Sequence, residues 1–401
     1  MESNTNKSNR LDTLLALRGF GCLMVVTIHC APPRKSIIDN GLDLSWLMFS
    51  HGAIAVWIFF VLSGYLMGKA FYTKRYSVDV AGVINFWRNR ALRIFPLYYF
   101  AVLILSIFVY PAVLKFYNWG YLFRLFTFTY HPYITFQTIK FNDVFWSLST
   151  EVQFYILVPF IYTLIHNRLN TQKKIFVAGS LIIVPTLILR FLIWTSFQTE
   201  ITQEMGYAFK YWYTPLITNL DLFLCGFLVN ELLKYRKPDL HQNKSLIIKI
   251  FAVILIILLY LFTAHHLYHQ ELWNLPNRSG GWRTLTTILL LQPLTAIITS
   301  FFIFAFEKDI YDDFTKNEKL SFSATLRNPL RLLEVIGNLS YGIYIWHMPI
   351  IARTYDIFNS EIPIEAFYIR LTATLILSTV LATVTYYLVE LPAAKWKIYK
   401  Q

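Results

Sequence analysis

Two residues near the start of the chain could bind an anion and move a proton. Arg18 and His29 are eleven residues apart in the stretch LDTLLALRGFGCLMVVTIHC. In an α-helix that separation leaves the two side chains about 20° apart on one face and about 16 Å apart along the axis. A guanidinium can bind an anion, and an imidazole can serve as a general base. The spacing therefore predicts one helix face with a cation near one end and a proton acceptor near the other.

A carboxylate and a second group of arginines could complete such a site. Glu151 lies in the apolar stretch DVFWSLSTEVQFYILVPF, where it could pair with Arg190 or His29 or take part in proton transfer. Arg90 and Arg93 in FWRNRALRIFPLYY are spaced i,i+3 and share a helix face. Guanidinium groups suit phosphate oxygens, although arginines beside an apolar run also serve as plain anchors at a membrane surface.

The composition places these residues in a membrane. Of 401 residues, 56% are hydrophobic and only 15% are charged, whereas soluble domains have roughly 25% charged residues. The net charge of +13 falls in short clusters between apolar runs, which argues against a nucleic-acid-binding protein. The three cysteines have unrelated spacings, which excludes a disulfide scaffold and a zinc ribbon. We predict an all-α, polytopic integral membrane protein.

About ten apolar stretches reach the roughly 20 residues that an α-helix needs to cross a bilayer. The predicted spans lie near residues 11–31, 46–68, 94–114, 145–165, 175–197, 212–233, 246–264, 285–306, 332–352 and 367–389. They fill the chain, so we predict one membrane domain over residues 1–401. Lys and Arg are more than twice as numerous in the segments on the same side of the membrane as the N-terminus as in the loops on the opposite side. This bias predicts that both termini are cytoplasmic.

Polar residues within a span indicate a structural or functional role, because inserting an ionisable group there costs at least ~2.5–3.5 kcal/mol of free energy on insertion scales. Arg18 could snorkel to the interface, Ser63 is typical of small-residue helix packing, and Asp221 most simply pairs with a cation. Trp346 and His347 end the ninth span, where they could anchor the helix at the interface or line an outer cavity for an acceptor.

Together these residues resemble the membrane acyltransferase-3 family, integral membrane O-acyltransferases that modify bacterial surface glycans. Five motifs carry the resemblance over nearly the whole chain, each weak alone but all in the family's order. They are Arg18-x10-His29, FFxLSG at Phe59–Gly64, RxxR at Arg90 and Arg93, WSLxxExxFY at Trp146–Tyr155, and SYxxYxWHxP at Ser340–Pro349. The chain ends soon after its tenth predicted span, so we expect the stand-alone form without a periplasmic esterase-like domain.

The resemblance implies transfer of an acyl group, commonly acetyl, from cytoplasmic acyl-CoA to a hydroxyl of a carbohydrate or lipid-linked glycan in a bacterial plasma membrane. Acyl-CoA would be the donor substrate, and neither a bound cofactor nor a metal is expected. His29 would act as general base or carry the acyl group transiently, and Glu151 would orient the imidazole. The residues expected to bind acyl-CoA are Arg18, Ser63, Arg90 and Arg93.

Two other functions are compatible with charged residues in the spans. A secondary transporter or flippase could use a path formed by Arg18, Glu151, Arg190 and Asp221. Such proteins often show inverted repeats and broken helices, which this sequence does not display. Transport without any need for acyl-CoA would favour that function. A non-catalytic scaffold would need neither His29 nor Glu151.

Overall fold

The described part of the chain is built mainly of helices. The structure is a computed structural model that describes residues 11–131, 141–203, 205–236, 242–269, 272, 283–307, 328–357 and 360–398. Its α-helices are α1 (Thr13–His29), α2 (Gly52–Tyr72), α3 (Val80–Ile104), α4 (Trp119–Phe126), α5 (Phe145–Ile165), α6 (Gln172–Gln203), α7 (Met205–Ala208), α8 (Leu216–Leu233), α9 (Gln242–Tyr268), α10 (Gln292–Phe306), α11 (Arg331–Thr354), α12 (Pro363–Thr385) and α13 (Leu391–Ala394). Single π-helical turns adjoin them at Leu105–Val109, Phe209–Tyr213, Thr287–Leu291 and Tyr386–Glu390.

Short elements fill some of the connections. Strands β1 (Ile38–Asp39) and β2 (Leu42–Asp43) form an antiparallel hairpin between α1 and α2. Turns of 3-10 helix lie at Ser45–Met48, Pro111–Leu114 and Phe116–Asn118. The hairpin and the first of these turns carry the chain back from the end of α1 to the start of α2.

The ten predicted spans each coincide with one of the described helices. Eight described helices are long and apolar enough to cross a membrane, and α1 is a shorter apolar helix of 17 residues. Helix α11 has 24 residues and begins with the charged Arg331 and Glu334. The all-α, polytopic architecture predicted from the sequence is confirmed, and the protein is an integral membrane protein.

The largest difference concerns the third span, which the sequence placed near residues 94–114. Helix α3 begins at Val80, where the Asp79 carboxylate caps it by accepting a hydrogen bond of 2.7 Å from the Gly82 amide. The apolar window missed this start because polar residues interrupt the apolar run of α3 between Asn85 and Arg93. Arg90 and Arg93 therefore lie well inside a helix and not just before its start.

Two helix pairs approach so closely that only glycine fits at the contact. A Cβ added to Gly19 of α1 or to Gly337 of α11 would overlap a backbone carbonyl of the opposite helix. Gly64 of α2 and Gly226 of α8 make the same kind of contact. Small residues at crossing points are the usual means of helix association in lipid. The α1–α11 contact matters most here, because both helices carry histidines of the candidate site.

A buried ion pair joins α6 to α8. Arg190 and Asp221 are fully buried and bridge each other, and Arg190 Nε donates to the Thr218 carbonyl at 3.0 Å. The predicted pairing of Asp221 with a cation is confirmed. The suggested pairing of Glu151 with Arg190 is wrong, because Asp221 is the partner of Arg190. Neither residue lines the cavities described below, so the charged residues of the transporter hypothesis do not form one path.

Candidate active site

Residues from five helices surround a cavity of about 140 Å³, which we call the arginine cavity. The helices are α1, α2, α3, α5 and α11. Its polar lining consists of Arg18, Ser63, Arg90, Arg93, Ser147, Glu151, Tyr155, Ser340, Tyr341 and Tyr344. The four residues expected to bind acyl-CoA are thus brought together, although they are far apart in the sequence.

Two of the three arginines in this cavity are available to a ligand. Arg93 Nη1 is paired with Glu390 Oε2 at 2.6 Å. Among the described residues, Arg90 Nη1 reaches only Met67 Sδ, at 3.7 Å, and the buried Arg90 Nε has no hydrogen-bond partner. Within the described part of the chain, Arg18 forms no hydrogen bond or ion pair. Guanidinium groups that no carboxylate pairs with directly favour binding of an anionic ligand.

Glu151 is satisfied by hydroxyl groups of the same cavity. Ser63 Oγ donates to Glu151 Oε1 at 2.7 Å, and Tyr155 Oη donates to the same oxygen at 2.6 Å. No contact joins Glu151 to His29, both of which are described residues. The structure therefore does not bring Glu151 to the His29 imidazole, which it was predicted to orient. Helix α5 directs the carboxylate into the arginine cavity, whereas His29 ends α1 beside a different cavity.

This second cavity, of about 440 Å³, contains His29 and is called the histidine cavity. Its polar and aromatic lining includes His29, Arg34, Phe49, His51, Asp143, Trp146, Phe209, Tyr213 and Tyr344. Val56 and Tyr344 line both cavities, so a wall one side chain thick separates them. Ser147 Oγ and Tyr344 Oη are hydrogen-bonded at 2.8 Å in that wall. A ligand that extends from the arginine cavity past this wall would arrive at His29.

His347 of α11, not Glu151, is the partner of His29. His29 Nδ1 lies 2.9 Å from His347 Nε2, and the two rings are stacked with centroids 5.1 Å apart. His347 Nδ1 lies 2.8 Å from the Tyr344 carbonyl oxygen, which can only accept. For a neutral pair, His347 therefore carries its proton on Nδ1, and its Nε2 accepts from Nδ1–H of His29. This assignment leaves a lone pair on Nε2 of His29, in a ring that lines the histidine cavity.

Trp346 and His347, which the sequence suggested could line an acceptor cavity, line neither of the two cavities described here. His347 is fully buried behind His29 and lines neither cavity. Trp346 Nε1 donates to Thr385 Oγ1 of α12 at 3.3 Å, and its ring contacts Phe100. The close α1–α11 contact turns His347 inward and the adjacent Trp346 toward α12.

The connection from α1 to α2 closes one side of the histidine cavity. The Arg34 guanidinium lies over the rings of Phe49 and Tyr268, at 5.0 and 4.6 Å from their centroids, and donates to the Tyr268 carbonyl. These contacts attach the connection to the end of α9. Sequence reasoning missed Arg34 and His51 as lining residues. They were missed because neither Arg34 nor His51 belongs to one of the motifs or has a helical spacing to another candidate residue.

Comparison with known proteins places the chain in a family. The sequence profile of the acyltransferase-3 family, described as an acyltransferase domain, matches residues 11–387. The chain belongs to the acyltransferase-3 family. The five sequence motifs named above supply most of the arginine cavity: the FFxLSG, WSLxxExxFY and SYxxYxWHxP stretches each contribute several lining residues. No solved structure matches the chain significantly.

Three curated relatives illustrate what the acyltransferase-3 chain is similar to. The O-acetyltransferase OatA of Staphylococcus aureus is 23% identical over 404 residues, covering 96% of this chain and 57% of the relative. The peptidoglycan O-acetyltransferase OatA of Listeria monocytogenes is 25% identical over 380 residues, covering 90% and 54%. The acyltransferase MdmB of Streptomyces mycarofaciens is 30% identical over 165 residues, covering 39% and 41%. The chain spans a little over half the length of the two OatA relatives.

Proposed function

We propose that this acyltransferase-3 protein is an O-acyltransferase of the plasma membrane. It takes an acyl group, most simply acetyl, from acyl-CoA and transfers it to a hydroxyl of a carbohydrate or lipid-linked glycan. The observation that carries the proposal is the position of His29. Its imidazole lines one cavity, and His347 sets its tautomer. That cavity shares Val56 and Tyr344 with a second cavity, in which Arg18 and Arg90 have no ion-pair partner among the described residues.

The arginine cavity suits the donor. Acyl-CoA carries its phosphates at one end and its thioester at the end of a long, uncharged arm. Guanidinium groups of Arg18 and Arg90 would bind phosphate oxygens, and the arm would run along Ser63 toward the wall between the cavities. The thioester would then meet His29 without the charged end entering the apolar interior.

The lone pair on His29 Nε2 supports two routes for the transfer. As a general base, it takes the proton of the acceptor hydroxyl while the hydroxyl oxygen bonds to the acyl carbon. The carbon–sulfur bond breaks, and the CoA thiolate receives the proton from the imidazolium. Alternatively, Nε2 attacks the acyl carbon itself, the carbon–sulfur bond breaks, and CoA is released as its thiolate. In a second step the hydroxyl oxygen bonds to the acyl carbon, the carbon–nitrogen bond to His29 breaks, and the hydroxyl proton neutralises the thiolate. Both routes require the same tautomer.

The names of the relatives guide the choice of substrates. Two are O-acetyltransferases, and the Listeria protein is named for peptidoglycan. These names favour acetyl-CoA as the donor and a surface glycan as the acceptor.

A matched pair of arginine variants tests the donor site. We expect Arg90→Gln to raise the KM for acetyl-CoA about tenfold or more and to change kcat little, because a phosphate contact acts equally in ground and transition states. Arg88→Gln is the control, since Arg88 is exposed on the same helix and does not line the cavity. Equal KM values for the two variants, or a collapse of kcat without a change in KM, would exclude this role for Arg90.

A further inference from the structure

His51 is a buried imidazole that the proposed transfer does not use. It directly precedes α2, lines the histidine cavity and is only 1% exposed. Neither of its ring nitrogens has a hydrogen-bond partner among the described residues. Buried polar atoms almost always have partners, and one without any is costly. An imidazole at a cavity wall can receive its partner from a ligand.

The position of His51 is fixed relative to His29. Ser50 Oγ donates to the Met24 carbonyl of α1 at 2.6 Å, and the Cα of Gly52 approaches the Ile28 side chain so closely that a Cβ there would lie 3.2 Å from it. The residues on both sides of His51 therefore pack on the turns of α1 that lead to His29. The His51 ring also stacks with Trp57, with centroids 6.5 Å apart. Two imidazoles are thus held rigidly at one cavity, on adjoining segments.

We propose that His51 binds a second hydroxyl of the acceptor, next to the hydroxyl that His29 activates. The inference rests on the proposed function and adds a specificity-determining residue to it. A neutral imidazole both donates and accepts, so it can bind a hydroxyl in either sense. Trp146 and Tyr213, whose rings are 4.4 Å apart, line the same cavity and offer an apolar surface to the carbon skeleton. The cavity therefore selects diols over isolated alcohols.

Selection of this kind is measurable because a site that binds a hydroxyl rejects the analogue that lacks it. The probes are trans-1,2-cyclohexanediol and cyclohexanol, which differ by one hydroxyl. For wild-type protein in lipid nanodiscs with acetyl-CoA, we expect kcat/KM for the diol to exceed that for the alcohol at least tenfold. The statistical advantage of two hydroxyls accounts for only a factor of two.

Two variants separate hydrogen bonding from packing at His51. His51→Phe keeps a ring against Trp57 but removes both nitrogens, and we expect it to lower the diol-to-alcohol ratio to about two. His51→Gln can still bind a hydroxyl and should keep an intermediate ratio. The KM for acetyl-CoA should not change in either variant. His265→Gln is the control and should leave the ratio unchanged, because His265 is partly exposed on α9 and lies outside the cavity lining.

A direct binding measurement distinguishes failure of this inference from failure of the proposed function. Saturation-transfer NMR with the diol, without acetyl-CoA, should show contact with the wild type and a loss of at least tenfold in affinity for His51→Phe. If the diol binds in this way but the wild type transfers no acetyl group, the hydroxyl-binding role of His51 stands and the proposed acyltransferase function is rejected. An unchanged ratio in folded His51→Phe, or diol binding equal to that of the wild type, would overturn the role of His51.

Discussion

His29 and His347 form a relay that ends on a backbone carbonyl. In a serine hydrolase triad, a carboxylate holds the histidine tautomer and stabilises the imidazolium. Here His347 fixes the tautomer of His29, and the Tyr344 carbonyl fixes that of His347. A neutral ring stabilises a developing positive charge less than a carboxylate does. The relay therefore contributes orientation more than charge.

Substitution of His347 tests this positioning role. We expect His347→Ala to lower kcat about 10²-fold with little change in the KM for acetyl-CoA, since a misplaced base costs about that much. His347→Gln offers an oxygen to Nδ1–H of His29 and should recover part of the loss. Steady-state kinetics of both variants give the answer. Equal activity of the Ala and Gln variants would mean that His347 acts only through packing.

Lys397 adds a pH-dependent charge near the arginine cavity. It follows α13, and the adjacent Ile398 amide donates to Asn89 Oδ1 of α3 at 3.0 Å. Burial, with the nearby Arg93 and Arg90 guanidinium groups, lowers the pKa of Lys397 from 10.5 to about 8. The ammonium is therefore charged below pH 8 and becomes neutral above it.

We expect the loss of this charge to weaken donor binding at alkaline pH. Because phosphates favour a protonated Lys397, the KM for acetyl-CoA should rise several-fold between pH 7 and pH 9. In Lys397→Gln the KM should already be high at pH 7 and should rise less. Measuring KM across this range in both proteins checks the assignment. A rise of the same size in the variant would assign the titration to another group.

At the scale of helices, the sequence determines which segments form but not which segments meet. Apolar runs of suitable length predicted the spans, and the i,i+11 spacing correctly placed Arg18 and His29 on α1. The His29–His347 contact joins residues 318 positions apart, and no local spacing contains it. The sequence also did not indicate a role for His51, because it lies in none of the motifs and has no helical spacing to His29. Glu151 was expected beside His29 but lies in the arginine cavity, because position along a span does not fix the direction of a side chain.

The glycine contact between α1 and α11 holds the histidine relay together. We expect Gly337→Ala to push the helices apart, destabilise the protein by about 1–3 kcal/mol and lower kcat, because the new Cβ meets backbone. Gly179→Ala on α6 is the control, where the nearest atom to a Cβ is 3.9 Å away. Thermal unfolding and turnover in nanodiscs compare the two. A Gly337→Ala protein as stable and active as the control would show that the contact is not required.

For the whole molecule, the essential feature is two cavities with different chemistry on either side of a thin wall. The arginine cavity offers cations to a phosphate-rich donor, and the histidine cavity offers imidazoles and aromatic rings to a hydroxylated acceptor. A transporter would need one path for one substrate, but Arg190 and Asp221 neutralise each other outside both cavities. The arrangement instead suits two substrates that meet at His29.

The most direct test follows the acyl group from donor to acceptor. Purified protein in nanodiscs would receive acetyl-labelled acetyl-CoA with and without a glycolipid extract, and wild type would be compared with His29→Ala. We expect the wild type to release CoA and label the extract, and His29→Ala to lose at least 10²-fold in rate while remaining folded. Label retained on the wild-type protein without acceptor would identify the acyl-histidine route. CoA release at the same rate from His29→Ala, or no release from folded wild-type protein with any acceptor, would contradict the account.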